Sequence, residues 1–153
     1  MTDNTLLDVP LDTPTVGKVY KRTVIRIATF LGGTLVATYL MAENFKTFGE
    51  PDKARKTWIY GIIATILLFI ILAIPQLEKL PSPVLPLIYT AMTSYWVLQF
   101  QEKKINAHIQ AGGEVFNWKR VALVTFIGLI LMLFLGVIFL SVIDFMVQPS
   151  EGF

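Results

Sequence analysis

Cysteine is absent from this 153-residue chain, and charged side chains are scarce. Without a thiol, the chain has no disulfide framework, no thiolate metal site and no cysteine nucleophile. Asp, Glu, Lys and Arg make up 16% of the residues, against about 25% in an ordinary soluble domain. Hydrophobic residues make up 54%, and the mean hydropathy is +0.62. This composition indicates an integral membrane protein with room for three or four spans.

The residues that usually carry catalysis or metal binding are also few. His108 is the single histidine, and without a second histidine or a nearby pair of carboxylates it does not predict a metal site. The sequence shows no Ser/His/Asp set, no phosphate-binding glycine loop and no zincin-type helix. A net charge of +2 is too small to favour nucleic acid. We therefore expect no enzymatic activity, no cofactor and no nucleic-acid partner.

We predict one helical membrane domain, residues 19–147, between two tails. Residues 1–18 are polar, contain proline and carry three aspartates, which predicts a flexible N-terminal tail. This stretch has neither the basic start nor the apolar segment of a cleavable signal peptide. Residues 148–153 are expected to form a short C-terminal tail.

Three apolar runs predict transmembrane helices. Residues 58–77 are uncharged and begin with aromatic residues typical of a membrane interface. Residues 84–100 are long enough to cross with little tilt, and a polar extension is predicted to continue that helix to residue 111. Residues 121–147 form the longest apolar run, interrupted only by Asp144. We expect this carboxylate at a solvated helix end.

Residues 27–41 form an apolar segment whose path the sequence leaves open. As a helix these 15 residues rise about 22 Å, short of the roughly 30 Å hydrocarbon core. A longer span would have to include Arg26 or Glu43, either of which could reach the headgroups from a helix end. A break at Gly32 and Gly33 would instead let the chain dip into the membrane and return.

The distribution of Lys and Arg favours the return. If residues 27–41 turn back, twelve of the thirteen basic residues lie on one side and Lys79 alone lies on the other. If they cross, the split is eight to five. Cytoplasmic loops are enriched in Lys and Arg. We therefore predict an all-α integral membrane protein with three transmembrane helices plus a short re-entrant or interfacial apolar helix. A four-helix transmembrane bundle is the alternative.

The pattern as a whole resembles that of small multi-span bacterial membrane proteins. This resemblance implies a multi-pass protein of the cell membrane, in a bacterial inner membrane. The polar extension beyond residue 100 is weakly amphipathic, with Ile105 and Ile109 one turn apart. It could lie on anionic headgroups or against a protein partner.

Two sets of residues are candidates for a functional role. Small residues at helical spacing allow close approach of another helix or, at the paired glycines, a re-entrant break: Ala28, Gly32, Gly33, Ala37, Gly128 and Gly136. Polar side chains in or beside the apolar segments could line a pathway or hydrogen-bond between helices: Glu43, Tyr89, Thr90, Thr93 and Ser94. Ordinary helix packing and an interfacial Glu43 are the simpler interpretations.

The leading hypothesis is a non-enzymatic interaction or accessory subunit that packs through its small-residue helix faces. Its expected partners are the lipid bilayer and either a second copy of the chain or another membrane protein. The alternative is a subunit of a small transporter or channel, built around a re-entrant segment beside a hydroxyl-bearing span. That alternative requires an oligomer, because three or four helices rarely enclose a pore.

Overall fold

A computed structural model describes residues 17–74, 81 and 83–147. Helices hold 84% of these residues, which confirms the all-helical class. Two strands of two residues each pair in parallel. In chain order the elements are β1 (Lys18–Val19), α1 (Arg22–Thr47), α2 (Pro51–Leu72), α3 (Val84–Phe100), α4 (Glu102–Gln110), β2 (Glu114–Val115) and α5 (Trp118–Val147). The predicted flexible tails lie outside the described residues, except that Lys18 belongs to β1.

The first helix reverses direction at Gly33. This residue has φ 81° and ψ −169°, a conformation that is essentially restricted to glycine. The Tyr20 N–H donates to Asn44 Oδ1 over 2.7 Å, and Thr47 Oγ1 donates to the Lys18 carbonyl over 3.0 Å. Residues 24 apart in a straight helix would be separated by about 36 Å. The two limbs of α1 therefore lie side by side as a helical hairpin.

The hairpin is the centre of the molecule. Its ascending limb is residues 22–32 and its return limb is residues 34–47. The other long helices, α2, α3 and α5, each pack mainly against α1. Aromatic rings also join α2 to α3 through Tyr60 and Trp96 and α2 to α5 through Phe69 and Phe139. We call the end of the molecule that holds both ends of α1 the near side, and the opposite end the far side.

The neighbours of the hairpin fix the direction of each long helix. Thr65 of α2 and Met132 of α5 lie beside Thr34 and Gly33 at the turn of the hairpin. Because α2 and α5 begin at the near side, both run towards the far side. The third helix, α3, runs back, since Gln101 at its end contacts the return limb near its base.

The ends of the helices follow local sequence signals. Pro51 is the first residue of α2, where its missing N–H costs nothing. Gly49 and Gly112 have φ 71° and 80° and terminate α1 and α4 in the conformation that glycine adopts without strain. Asn117 caps α5, since its Oδ1 accepts a hydrogen bond from the Lys119 N–H over 3.3 Å.

Several predicted bounds differ from the structure, since α2 begins at Pro51 rather than residue 58 and α5 at Trp118 rather than residue 121. The predicted polar extension of α3 to residue 111 is wrong as a continuous helix, because α3 stops at Phe100 and α4 is a separate element. Gln101 between them has φ −125°, and its buried side chain is held by the hairpin. The helix predicted over residues 58–77 corresponds to α2, which ends at Leu72. Residues 75–77 of that prediction lie outside the described residues.

Buried side chains are concentrated in the half of the bundle nearest the near side. Beyond Thr65 in α2 and beyond Thr125 in α5, no described residue is buried, and the same holds before Thr90 in α3. The hairpin alone contributes 14 buried residues. Buried residues are therefore found only along the length of the hairpin, and none of the described residues is buried beyond its turn at Gly33.

Within the described residues, three helices are long and apolar enough to cross a membrane: α1, α2 and α5. The 26 residues of α1 are divided between two limbs, so its length is not that of one rod. The 17 residues of α3 carry no charged side chain and rise about 25 Å.

Candidate functional site

A buried polar cluster closes the base of the hairpin. Asn44 Nδ2 donates to the Tyr20 carbonyl over 3.0 Å and to Gln101 Oε1 over 3.2 Å. Gln101 Nε2 donates in turn to the Met41 carbonyl over 2.8 Å. Asn44 and Gln101 are fully buried, where an unpaired amide would be costly. This cluster, which we call the clasp, joins Tyr20, just after β1, to the return limb and the end of α3.

Beside the clasp, Arg120 of α5 reaches two tyrosines of the hairpin region. Its Nε donates to Tyr20 Oη over 3.2 Å and its Nη2 contacts Tyr39 Oη at 3.5 Å. Its guanidinium lies 4.4 Å from the ring centroid of Phe116, which stacks on Tyr20 at 4.1 Å. Burial raises the pKa of the Tyr20 hydroxyl and outweighs the hydrogen bond from Arg120. The tyrosine therefore stays neutral and acts as a packing and hydrogen-bonding group.

The predicted small residues lie between the hairpin and its neighbours. A Cβ on Gly128 would come 2.0 Å from Val36 Cγ2, and one on Gly32 would come 3.1 Å from the Thr125 carbonyl oxygen. These glycines bring α5 against the hairpin, as close approach requires. On the far half, a Cβ on Gly136 would only touch Phe69, at 3.6 Å. The small-residue faces are thus occupied within the chain; Ala28 and Ala37 are likewise buried in it.

A small residue that the sequence analysis did not single out makes the closest contact. A Cβ on Gly61 of α2 would lie 1.9 Å from Thr38 Oγ1 of the return limb. The residue has no glycine or alanine four positions away; Thr57 and Thr65 occupy those positions. Its role becomes visible only when the hairpin is placed against α2.

The predicted hydroxyl side chains face the hairpin from α3. Tyr89 Oη donates to the Phe30 carbonyl over 3.3 Å, close to the turn. Thr90 and Ser94 each have a buried hydroxyl oxygen without a hydrogen-bond partner. On the opposite flank, Thr34 and Thr65 share a hydrogen bond of 2.7 Å. The predicted stripe therefore lies against α1, and α1 and α2 supply further hydroxyls.

A cavity of about 170 Å³ lies between the return limb, α2 and α3. Six of its twelve lining residues bear hydroxyls, but most of the surface that lines the cavity is apolar. On the near side, the rings of Tyr60 and Trp96 meet edge to face at 6.0 Å. The lining is Thr34, Ala37, Thr38, Met41, Thr57, Tyr60, Gly61, Ala64, Tyr89, Met92, Thr93 and Trp96.

Glu43 lies apart from these hydroxyls. It is at the near-side base of the return limb, one residue before Asn44, and its Oε1 accepts from Lys46 Nζ over 2.6 Å. The structure therefore places this carboxylate in a local ion pair beside the clasp.

The near side is strongly basic. Twelve Lys and Arg side chains of the described chain lie in β1, the hairpin ends, the start of α2, α4 and the start of α5, against five carboxylates. A second cavity, of about 370 Å³, opens here between the start of α1 and α4. Three of the twelve cations line it: Lys21, Arg22 and Arg26.

The sequence analysis grouped these three cations only as topology signals. Their spacing of one and four residues predicts that they share one face at the start of a helix. The opposite wall of the cavity comes from α4, which begins 80 residues after Arg22. In the part of the chain that the structure describes, no group of three His, Asp or Glu side chains could hold a metal ion.

No family model, no curated protein and no solved structure matches this chain. Its function is therefore inferred from the geometry of its own residues.

Proposed function

We propose that this chain is a multi-pass integral membrane protein with three spans, α2, α3 and α5, and a re-entrant hairpin, α1. The reversal at Gly33 supports this arrangement, because it returns the chain to the near side. From Arg26 to the turn, the ascending limb rises about 10 Å, which is about a third of a hydrocarbon core of roughly 30 Å. The hairpin then enters only the leaflet at the near side.

The charge distribution and the aromatic residues support one orientation. The near side holds twelve described cations, and cytoplasmic segments are enriched in Lys and Arg. Trp58, Trp96 and Trp118 lie in the halves of α2, α3 and α5 next to the near side, where interfacial aromatics are expected. We place the near side in the cytoplasm and the protein in the cell membrane, a bacterial inner membrane.

This topology is tested with single cysteines, since the chain has none of its own. Exposed positions are Thr23, Asp52 and Gln110 on the near side and Met146 on the far side. A membrane-impermeant maleimide added outside intact cells should label only Met146→Cys. Labelling of Thr23→Cys and Asp52→Cys from opposite sides would contradict the re-entrant hairpin.

Within the membrane, the function that the geometry supports best is a non-enzymatic interaction or accessory subunit. The supporting observation is the far half of the bundle, where no described residue is buried and the backbones of α2, α3 and α5 stay apart, although the rings of Phe69 and Phe139 stack between α2 and α5. Helices in lipid are held by close packing and interhelical hydrogen bonds rather than by the hydrophobic effect. A partner helix packed against these bulky faces would supply the contacts that the chain does not make itself.

Such a partner would bind differently from the one expected from the sequence. The glycines Gly32 and Gly128 are already used to seat the hairpin, so a second copy or another subunit would have to use large side chains instead. On α5 the most exposed stripe includes Leu133, Val137 and Leu140, at 63, 64 and 58%.

The test is native mass spectrometry of the full chain extracted from its own membrane in lipid nanodiscs, combined with oxidative cross-linking of Val137→Cys. A dimer, or a stoichiometric partner that Val137→Trp displaces, is the expected result. Leu123→Trp, on the exposed near half of the same helix, is the matched control. A strictly monomeric chain with no stoichiometric partner would contradict the proposal.

A second candidate is a subunit of a small transporter or channel. The observation that favours it is the cavity between the return limb, α2 and α3, which has six hydroxyl-bearing residues among its twelve lining residues, although most of the surface they present to the cavity is apolar. Ion or solute flux through liposomes that contain the protein, reduced by Thr93→Val, would support it. Equal flux in empty and loaded liposomes would remove it.

A further inference from the structure

The half-open cavity between the start of α1 and α4 carries an excess of positive charge. Its volume is about 370 Å³, within the range of small-ligand sites. Lys21, Arg22 and Arg26 face one carboxylate, Glu102, which leaves an excess of two positive charges. The remaining lining residues are Thr23, Ile105, Asn106 and Ile109.

Two of the three cations that line this cavity have no ion pair with a described residue. Arg22 Nη1 donates to Glu102 Oε1 over 2.7 Å, but Arg22 Nε is buried and has no acceptor. Lys21 and Arg26 are exposed, and neither has an ion pair with any described residue. A half-open cavity lined by two cations without ion pairs favours a bound anion.

The start of α1 adds backbone donors to the same place. The helix begins at Arg22 next to Lys21, no side chain caps its first turn, and that turn contains no acidic residue. Its first N–H groups are therefore without side-chain acceptors, and the helix dipole makes this end partly positive. Phosphate oxygens are the ligands that such a helix start accepts most readily.

An apolar surface begins one turn deeper on the same limb. Ile27, Phe30 and Leu31 are 41, 39 and 56% exposed, and in the proposed topology they face the hydrocarbon. A ligand that satisfies both surfaces carries a phosphate at one end and apolar chains at the other. This combination distinguishes a membrane phospholipid from a free phosphate or a nucleotide.

We propose that Lys21, Arg22, Arg26 and the first turn of α1 bind the phosphate of an anionic phospholipid whose acyl chains lie along Ile27, Phe30 and Leu31. The proposal rests on the membrane topology given above. Arg22 is positioned by Glu102, and Lys21 and Arg26 supply the free charges. Two cations near a membrane surface give roughly a 30-fold preference for an anionic over a zwitterionic lipid.

The test is a lipid titration of the purified full chain, followed by native mass spectrometry, with phosphatidylglycerol against phosphatidylcholine. The double variant Lys21→Gln/Arg26→Gln should lose the preference for phosphatidylglycerol roughly 30-fold. Arg55→Gln/Lys56→Gln removes the same charge from an exposed near-side position outside the cavity, and it should reduce the preference far less than the cavity variant does. Equal losses in both double variants would overturn the site, since only the overall charge would then matter.

A gain-of-affinity variant separates loss of the site from misfolding. Glu102→Gln removes the one carboxylate and should strengthen retention of phosphatidylglycerol about 5-fold; no gain would overturn the proposal. Inorganic phosphate at millimolar concentration should not displace the lipid, and displacement would identify a free-phosphate site instead.

Flotation with lipid vesicles separates the two proposals. Co-flotation with phosphatidylcholine vesicles but without an anionic preference contradicts the headgroup site alone. Failure to float contradicts the membrane proposal as well.

Discussion

The two halves of the bundle share α2, α3 and α5 but are held together differently. In the near half these helices surround the hairpin, and Tyr20, Ile25, Leu40 and Val97 are buried to 1% exposure or less. In the far half the hairpin is missing, and Leu133 and Val137 are 63 and 64% exposed. The comparison shows that the hairpin supplies the interior. Where it turns back, the helices lose their shared neighbour.

The difference is not one of hydrophobicity. The far part of α5 is as apolar as the near part, yet in the described chain its last buried residue is Thr125. A helix that is apolar all round presents no face that composition alone assigns to the interior. Whether a side chain of α5 is buried depends on whether it lies on the near or the far side of the turn at Gly33.

The largest expected contrast comes from truncating one leucine in each half. Leu40→Ala removes a side chain that is 0% exposed and should lower the free energy of unfolding by about 2–5 kcal/mol. Leu133→Ala, at 63% exposure, should change it by less than about 0.5 kcal/mol. Thermal unfolding in detergent compares the two. Equal losses would show that the far half has an interior as well.

The turn itself is the next most sensitive point. Gly33→Ala places a Cβ in a backbone conformation reserved for glycine and 3.1 Å from Met132 Cε, at a cost of about 3 kcal/mol. Gly49→Ala is the matched control, since Gly49 also has a positive φ but has open space around it; about 1 kcal/mol is expected there. The melting temperatures of both variants measure the difference, and a larger loss for Gly49→Ala would contradict it.

Two glycines eight residues apart on α5 sharpen the comparison on one helix. Gly128→Ala brings a Cβ within 2.0 Å of Val36 Cγ2, and overpacking of this kind costs about 1–3 kcal/mol. Gly136→Ala makes an ordinary 3.6 Å contact with Phe69 and should be neutral within about 0.5 kcal/mol. Chemical or thermal unfolding of both variants is the measurement. A neutral Gly128→Ala would mean that α5 does not press against the hairpin.

The smallest expected effect is a pH dependence confined to the near side. Burial raises the pKa of Glu50, but hydrogen bonds from Lys104 and Lys53 outweigh it and hold that pKa below 4.5. Its stabilisation is therefore present above pH 4.5 and is lost as the pH falls through the lowered folded value. Glu50→Gln should cost about 0.5 kcal/mol at neutral pH and nothing in acid. A pH-independent loss in Glu50→Gln would contradict the mechanism.

Sequence reasoning located most of the helices because their signals are local. Pro51 and the interruptions at Gly49 and Gly112 depend on a few adjacent residues, and the apolar run of residues 84–100 needs no tertiary contact. The paired glycines also indicated where α1 could break. The count of Lys and Arg favours one orientation of the chain in a membrane, and that orientation stays a prediction.

The sites depended on contacts that no local pattern carries. The clasp joins Tyr20, Asn44 and Gln101, which are 24 and 57 residues apart. The basic cavity forms only because α4 lies opposite the start of α1. The close packing at Gly61 depends on Thr38 of the return limb. Small-residue spacing predicted close packing but did not tell whether the neighbour belongs to the same chain.

The reversal of α1 at Gly33 is tested most directly by one distance. Spin labels on Thr23→Cys and Lys46→Cys, measured by electron spin resonance in nanodiscs, report the separation of the two limb ends. Side-by-side limbs predict a separation below about 20 Å, whereas an uninterrupted helix would place residues 23 apart at about 35 Å. A single population near the longer distance would contradict the hairpin and every proposal built on it.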